Sequence, residues 1–140
     1  MKCEDIMKTV VECVSPEDTA LEAAQRMRDQ NVGFLPVCGD SKEILGTLTD
    51  RDIALRLVAE GRPGTTPIAE IMSREVVACS PNDSIKRAEQ LMSDQLKSRI
   101  MCADDDGHLV GVISLSDIAQ QDTGHAVKVL RKLTLREARA

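Results

Sequence analysis

The chain contains itself twice. Ile6-Met7 recurs as Ile71-Met72, Ser15-Pro16-Glu17-Asp18 as Ser80-Pro81-Asn82-Asp83, and Met27-Arg28-Asp29-Gln30 as Met92-Ser93-Asp94-Gln95. Gly46 recurs as Gly111, and Asp52-Ile53-Ala54 as Asp117-Ile118-Ala119. Every match lies at an offset of 65 with no gap, and 16 of the 49 positions from 6 to 54 are identical, far above chance. Two copies are too few for a solenoid, which needs at least three units to stack a continuous core. Two similar units with apolar faces are expected to pack on one another about a pseudo-two-fold axis. A chain of 140 residues is long enough for two small units, and it buries enough surface to fold without a disulfide or a metal.

Each copy reads as β-α-β-β-α. A turn at Ile6-Met7 leads to a short strand near Val11–Val14. Ser15-Pro16 then breaks the chain, because proline lacks a donor and restricts its neighbour. Thr19 with Glu22 three residues on is a capping-box pattern, and Ala20, Ala23, Ala24 and Met27 give the helix that follows a narrow apolar stripe. Asn31-Val32-Gly33 ends it. Phe34 to Cys38 is a short apolar run that suits a buried strand, Gly39 to Glu43 a hairpin loop, and Ile44 to Thr49 the next strand. A second helix is expected over 50–60, with Ile53, Ala54, Leu57 and Val58 on one face. The second copy repeats this, with a strand near Val76–Ala78, a helix from Ser84 to about Gln95, strands Arg99–Ala103 and Leu109–Ser114, and a helix from Leu115. The expected domains are 1–60 and 68–122, with 61–67 a Gly- and Pro-bearing linker and 123–140 a helical tail. In that tail Val127, Leu130, Leu133 and Leu135 form an apolar stripe among Lys128, Arg131, Lys132, Arg136 and Arg139. It reads as an amphipathic helix capping its own unit or a dimer mate. The fold class is α/β (α+β), two pseudo-symmetric units packed through their sheets.

Composition narrows the function. There are 18 basic and 23 acidic residues, a net charge of -5, which gives no overall pull toward nucleic acid or an anionic membrane. One Phe, no Tyr and no Trp leave few platforms for stacking single-stranded bases. The N-terminus has no apolar run after its lysine, so no signal peptide is expected, and no stretch is long and apolar enough to span a membrane. These features point to a cytoplasmic protein. The five cysteines are dispersed and show no zinc spacing with His108 and His125. Most read as buried thiols, while Cys13 and Cys38 fall on strands expected to be neighbours and are a candidate redox pair. Asp104-Asp105-Asp106-Gly107 lacks the spacing of a calcium loop and reads as a solvated turn. No nucleophile–base pair and no Gly-rich phosphate loop appears, so an enzyme is not expected and no metal or catalytic site is assigned.

The most informative local pattern is Gly46-Thr47-Leu48-Thr49-Asp50-Arg51-Asp52, matched by Gly111-Val112-Ile113-Ser114-Leu115-Ser116-Asp117. In each, an apolar strand ends at a hydroxyl residue, a helix begins, and a carboxylate follows three positions later. One reading is a helix cap. The other is a ligand site, in which the Asp accepts from both hydroxyls of a ribose, the hydroxyl residue and helix N-terminus meet a phosphate, and Arg51 adds a second phosphate contact.

The repeat, the Ile-Met opening, the Ser-Pro before the first helix, Phe34-Leu35-Pro36-Val37 and the strand-to-helix motif resemble tandem cystathionine-β-synthase (CBS) domains, a pair of which forms a Bateman module. The resemblance covers residues 1 to about 122. Leu35 to Asp40 followed by Leu48 to Ile53 is similar to small stand-alone bacterial two-CBS proteins. The resemblance implies that Thr49 and Asp52, then Ser114 and Asp117, hold phosphate and ribose of an adenosine ligand. It implies an apolar slot for the base at Val11, Phe34, Leu35 and Pro36, then at Val76, Arg99, Ile100 and Met101. Ligands of such modules are AMP, ADP, ATP or S-adenosylmethionine, bound in clefts between the two units, and the modules commonly dimerise into a flat disc. The second copy departs from the pattern. Met101 stands where the family often has Pro, and Ser116 replaces Arg51, although Lys97 and Arg99 are near in sequence. The first site is therefore expected to be the better equipped.

The expected function is a non-enzymatic sensor of an adenine nucleotide, AMP or ATP foremost, acting as a regulatory ligand rather than a cofactor. A homodimer is expected, with a separate protein partner reading the signal, since no catalytic or transport domain is attached, and with neither nucleic acid nor membrane as partner. The alternative is a ligand-independent dimeric interaction or stress-response scaffold, redox-sensitive through Cys13 and Cys38.

Overall fold

A computed structural model describes residues 1–121 and 123–139. Asp122 lies outside the described residues, as do the side chains of His125, Arg136 and Arg139 named from the sequence. The chain divides into two compact units, Glu12–Val76 and Met1–Val11 with Val77–Ala140.

The first unit holds α1 (Ala20–Gln30), the antiparallel pair β1 (Phe34–Cys38) and β2 (Ile44–Thr49), and a short α2 (Asp50–Asp52). Thr19 caps α1, its hydroxyl accepting from the Glu22 amide while the Glu22 carboxylate accepts from the Thr19 amide, as the sequence pattern predicts. Ala20, Ala23 and Met27 are buried, with Leu35, Val37, Leu48 and Leu57, so the small-residue stripe is the face that meets the sheet. The strand expected near Val11–Val14 is a single parallel bridge from Val14 to Val37. Glu12 is exposed and Val11 and Cys13 are only half-buried, so little apolar burial is gained from a longer ladder.

The helix expected over 50–60 also differs. After α2 the backbone winds as a π-helix, Ile53–Val58. The wider turn leaves Ala54 and Val58 exposed, and only Leu57, with Ile53 packed beside it, faces the core. Arg56 accounts for the position of this segment, since its guanidinium donates to the carbonyls of Ile71 and Met72 at 3.2 and 3.0 Å. Residues 63–76 pack back on the same unit. The amides of Ala20 and Leu21 donate to Thr66 and Gly64, and that of Ile68 to Asp18.

In the second unit β3 (Ala78–Cys79) pairs parallel with β4 (Arg99–Ala103), which pairs antiparallel with β5 (Leu109–Ser114). Helix α3 (Ile85–Gln95) buries Ala88 and Met92. Helices α4 (Leu115–Gln121) and α5 (Thr123–Arg139) follow. The tail is thus a helix of this unit, but its buried face is not the expected stripe. Val129 is fully buried and Leu133 packs against the core, while Val127, Leu130 and Leu135 are exposed. Apolar residues run most of the way round α5, and the i, i+4 pair rather than the i, i+3 series faces inward.

Each unit contains the Ile-Met turn of the other repeat. Lys8, just after Ile6-Met7, bridges Val112 of β5, and Ser73, just after Ile71-Met72, bridges Thr47 of β2. The glycine beside each bridge makes that crossing possible. A methyl on Gly46 would overlap the Ser73 carbonyl oxygen, and one on Gly111 would meet Met7 Sδ at 2.7 Å and the Lys8 carbonyl at 3.0 Å.

Candidate functional site

The two strand-to-helix corners have the same internal wiring. At the first, Thr49 Oγ1 accepts from the Asp52 amide at 3.2 Å and Asp52 Oδ2 accepts from the Thr49 amide at 2.9 Å. At the second, Ser114 Oγ accepts from the Asp117 amide at 3.1 Å and Asp117 Oδ2 from the Ser114 amide at 2.8 Å. Both are reciprocal capping boxes with Asp in the place usually held by Glu or Gln. The cap is formed, and it does not exhaust the site chemistry. One carboxylate oxygen, Oδ2, builds the corner, and each hydroxyl keeps its proton to donate outward.

The other oxygen, Oδ1, faces a cation in each case. Arg56 Nη1 lies 4.0 Å from Asp52, one turn along its own helix, and Lys8 Nζ lies 3.8 Å from Asp117. Sequence reading missed both. Arg56 had a signal in its i, i+4 spacing from Asp52. Lys8 had none, being more than a hundred residues from Asp117. Asp117 and Ser114 are buried, whereas Thr49 and Asp52 are half-buried. Arg51 is exposed, and the hydrogen bond it makes here is from its own amide to the Asp50 carboxylate.

Sheet register places part of each expected base slot. Phe34 stands directly opposite Thr49, Leu35 opposite Leu48, and Pro36 opposite Thr47. Phe34 is half-buried, while Leu35 and Pro36 are core residues. In the second unit Arg99 stands opposite Ser114, Ile100 opposite Ile113 and Met101 opposite Val112, with Arg99 half-buried and the other two buried. The corner that has an aromatic ring in the first unit has a guanidinium in the second. Val11 belongs to the second unit and Val76 to the first, each the last residue before the chain passes from one unit to the other.

Cys13 and Cys38 each adjoin a residue of the Val14–Val37 bridge. Burial first, then the Cys13 thiol, pushes Cys38 up to about 12, so it stays protonated and slow to react at neutral pH. Asp104 Oδ1 accepts from the amides of Asp106 and His108, which closes the hairpin turn. The side chains of Asp104, Asp106 and His108 come within 4.8 Å of one another there, on an exposed loop. Among the described residues no helix is long and apolar enough to cross a membrane.

The CBS domain model matches residues 3–59 and again 68–123. The chain is 46% identical over 116 residues to the CBS domain-containing protein YhcV of Bacillus subtilis, covering 83% of this chain and 81% of the relative. It is 35% identical over 124 residues to Hypoxic response protein 1 of Mycobacterium tuberculosis, covering 88% and 86%. The crystal structure of Hypoxic Response Protein I, which holds two coordinated zinc ions, superposes with a TM-score of 0.79 at 33% identity over 86% of this chain and 98% of that one. The CBS domain pair of protein MJ0100, in complex with 5'-methylthioadenosine and S-adenosyl-L-methionine, shares the fold with a TM-score of 0.78 at 24% identity over 89% and 97%. CBSX2 in complex with AMP does so with a TM-score of 0.74 at 18% identity over 86% and 94%.

Proposed function

Because the chain belongs to the CBS domain family and carries two copies in tandem, we propose that it is a non-enzymatic regulatory module that senses an adenine nucleotide. The observation that carries this reading is the doubled hydroxyl–carboxylate corner, each with a carboxylate oxygen and a hydroxyl proton left over from the cap. In this reading Asp52 and Asp117 accept from ribose hydroxyls, and Thr49 and Ser114 donate to phosphate. Phe34, with Leu35 and Pro36 next to it on β1, flanks the base at one site. Arg99, with Ile100 and Met101 next to it on β4, does so at the other. Arg51, exposed on the first turn of its helix, reaches phosphate. That proteins of the same fold are described with AMP, or with 5'-methylthioadenosine and S-adenosyl-L-methionine, supports the ligand class. The module acts in the cytoplasm as a homodimer, and nucleotide shifts the population of two states that a protein partner distinguishes.

The first corner is the stronger site. Its ribose-binding carboxylate is the more accessible, and the residue across from its hydroxyl is an aromatic ring. The test is thermal unfolding, followed by circular dichroism, against AMP, ADP, ATP and S-adenosylmethionine. A ligand at about 100 times its Kd adds about 2.7 kcal/mol, which is several degrees for a chain of this length. The shift is expected to vanish in Asp52→Ala and to shrink less in Asp117→Ala. No shift in protein shown to be free of co-purified nucleotide refutes the sensor reading. A larger loss from Asp117→Ala reverses the ranking of the two sites.

A second reading is supported by the parallel bridge that brings the segments of Cys13 and Cys38 side by side. It is a ligand-independent dimeric scaffold whose first unit is locked by oxidation of that pair. Mass analysis without reductant after mild oxidation separates the two, since both thiols remaining free excludes the switch.

A further inference from the structure

Three of the five cysteines meet inside the second unit. Cys79 Sγ lies 3.4 Å from Cys102 Sγ and 3.7 Å from Cys3 Sγ. All three are buried. They come from three separate places in the chain. Cys3 is on the 3-10 turn Cys3–Asp5, and Cys79 and Cys102 are register partners on the parallel strands β3 and β4.

The duplication supplies an internal control. At the offset of 65, the same three positions in the first unit are Ile68, Val14 and Val37. Those residues are also buried in a core, and Val14 and Val37 also pair as parallel neighbours. The fold therefore needs only a mid-sized apolar side chain at each position. Packing accounts for one cysteine there, as a small hydrophobe, but not for the replacement of all three aliphatic residues in the same cluster.

We propose that Cys3, Cys79 and Cys102 form a binding site for a soft monovalent metal ion, Cu(I). Two thiolates on one ion at bonds of about 2.3 Å stand about 3.8 Å apart at the tetrahedral angle, so the observed separations need only small adjustment. Soft sulfur donors select Cu(I), whereas structural zinc completes a set of four. Met92 and Met7 pack in the same core. Each S–H that becomes a Cu–S bond releases its proton to solvent. Copper stays Cu(I), no electron moves, and no oxidant or reductant is required. Binding would staple the N-terminal turn to β3 and β4. The turn is already bonded to the segment that follows β3, the Cys3 amide donating to the Asp83 carbonyl and the Glu4 amide to the Pro81 carbonyl.

The test is anaerobic titration of the reduced protein with Cu(I) added as its acetonitrile complex, followed by the thiolate-to-copper band in the near ultraviolet. The absence of Trp and Tyr leaves that region clear. The full chain carrying Cys13→Ser and Cys38→Ser removes the other thiol pair. It is expected to bind one ion tightly enough to resist a bathocuproine-type chelator, and to unfold several degrees higher when loaded. In the same background the triple change Cys3→Ile, Cys79→Val and Cys102→Val copies the first unit's packing. It is expected to keep its circular dichroism and lose both the band and the shift. X-ray absorption of the loaded protein gives the number of sulfur neighbours independently of any variant. No band in the Cys13→Ser/Cys38→Ser protein overturns the proposal. So does an unfolding shift on copper addition that survives the triple change, or displacement of the bound copper by equimolar Zn(II).

Discussion

The corners at Thr49–Asp52 and Ser114–Asp117 descend from one sequence and share one capping geometry, yet they are tied to their surroundings differently. The first takes its cation from its own helix, where Arg56 also clamps the Ile71 and Met72 carbonyls. The second takes its cation from a distant part of the chain, Lys8 on the N-terminal segment. The first has Phe34 across from its hydroxyl and a half-buried carboxylate; the second has Arg99 and a buried carboxylate. Duplication preserved what folds each corner, the reciprocal hydrogen bonds within four residues. It did not preserve what surrounds it. Divergence is cheapest in the residues that meet a ligand or a neighbouring segment, because the cap holds whatever they become.

The crossing of the Ile-Met turn over the strand glycine gives the largest expected difference. At Gly46 the obstacle to a methyl is the Ser73 carbonyl, which is locked in a two-way bridge with Thr47 at 2.9 Å in both directions. Backbone held in that way cannot step aside without breaking the bridge. At Gly111 the nearest atoms belong to the Met7 side chain, which rotates readily. Gly46→Ala is expected to cost about 3 kcal/mol and Gly111→Ala about 1 kcal/mol. Urea unfolding followed by circular dichroism checks this. Equal costs would mean that the two crossings are equally rigid.

The residue facing the hydroxyl should separate the corners in binding rather than in stability. Removing an aromatic face from a bound base costs roughly 1–3 kcal/mol. Phe34→Ala is thus expected to weaken nucleotide binding by about tenfold, or about 1.4 kcal/mol, while Arg99→Ala changes it little. Titration calorimetry with AMP and ATP reads both. A larger loss at Arg99 would show that the second corner holds the nucleotide, with its guanidinium as the phosphate partner.

What was legible in the sequence is what is set within a few residues. The repeat, the Thr19 cap, the hairpins of β1 with β2 and β4 with β5, and the candidate corners all depend on local chemistry. The π-helix from Ile53 to Val58 depends on a guanidinium reaching carbonyls fifteen and sixteen residues ahead. The inward face of α5 depends on which side of a broadly apolar helix meets α3 and α4, which no spacing rule decides. The placement of each Ile-Met turn in the other repeat's unit is invisible to an offset of 65, because the pattern is the same whichever strand the turn crosses. The thiol cluster joins residues 76 and 23 positions apart, so it emerges only when the fold brings them together.

The smallest contrast lies where the two first helices end. Both close with a left-handed residue, Asn31 at φ 55° and Leu96 at φ 53°. Asparagine tolerates that conformation, while a leucine Cβ crowds the following carbonyl at a cost of roughly 1–2 kcal/mol. The exposed Asn31 has no burial to offset the strain of a larger side chain, so Asn31→Leu is expected to destabilise by about 1 kcal/mol. The half-buried Leu96 recovers part of its strain through the apolar area it covers. Leu96→Asn relieves the first and forfeits the second, and the net change is expected to stay within about 0.5 kcal/mol. Thermal unfolding of the two variants side by side measures the difference. If Leu96→Asn proved strongly destabilising, Leu96 would be a packing residue that the second unit has recruited at a position where the first unit needs only a turn.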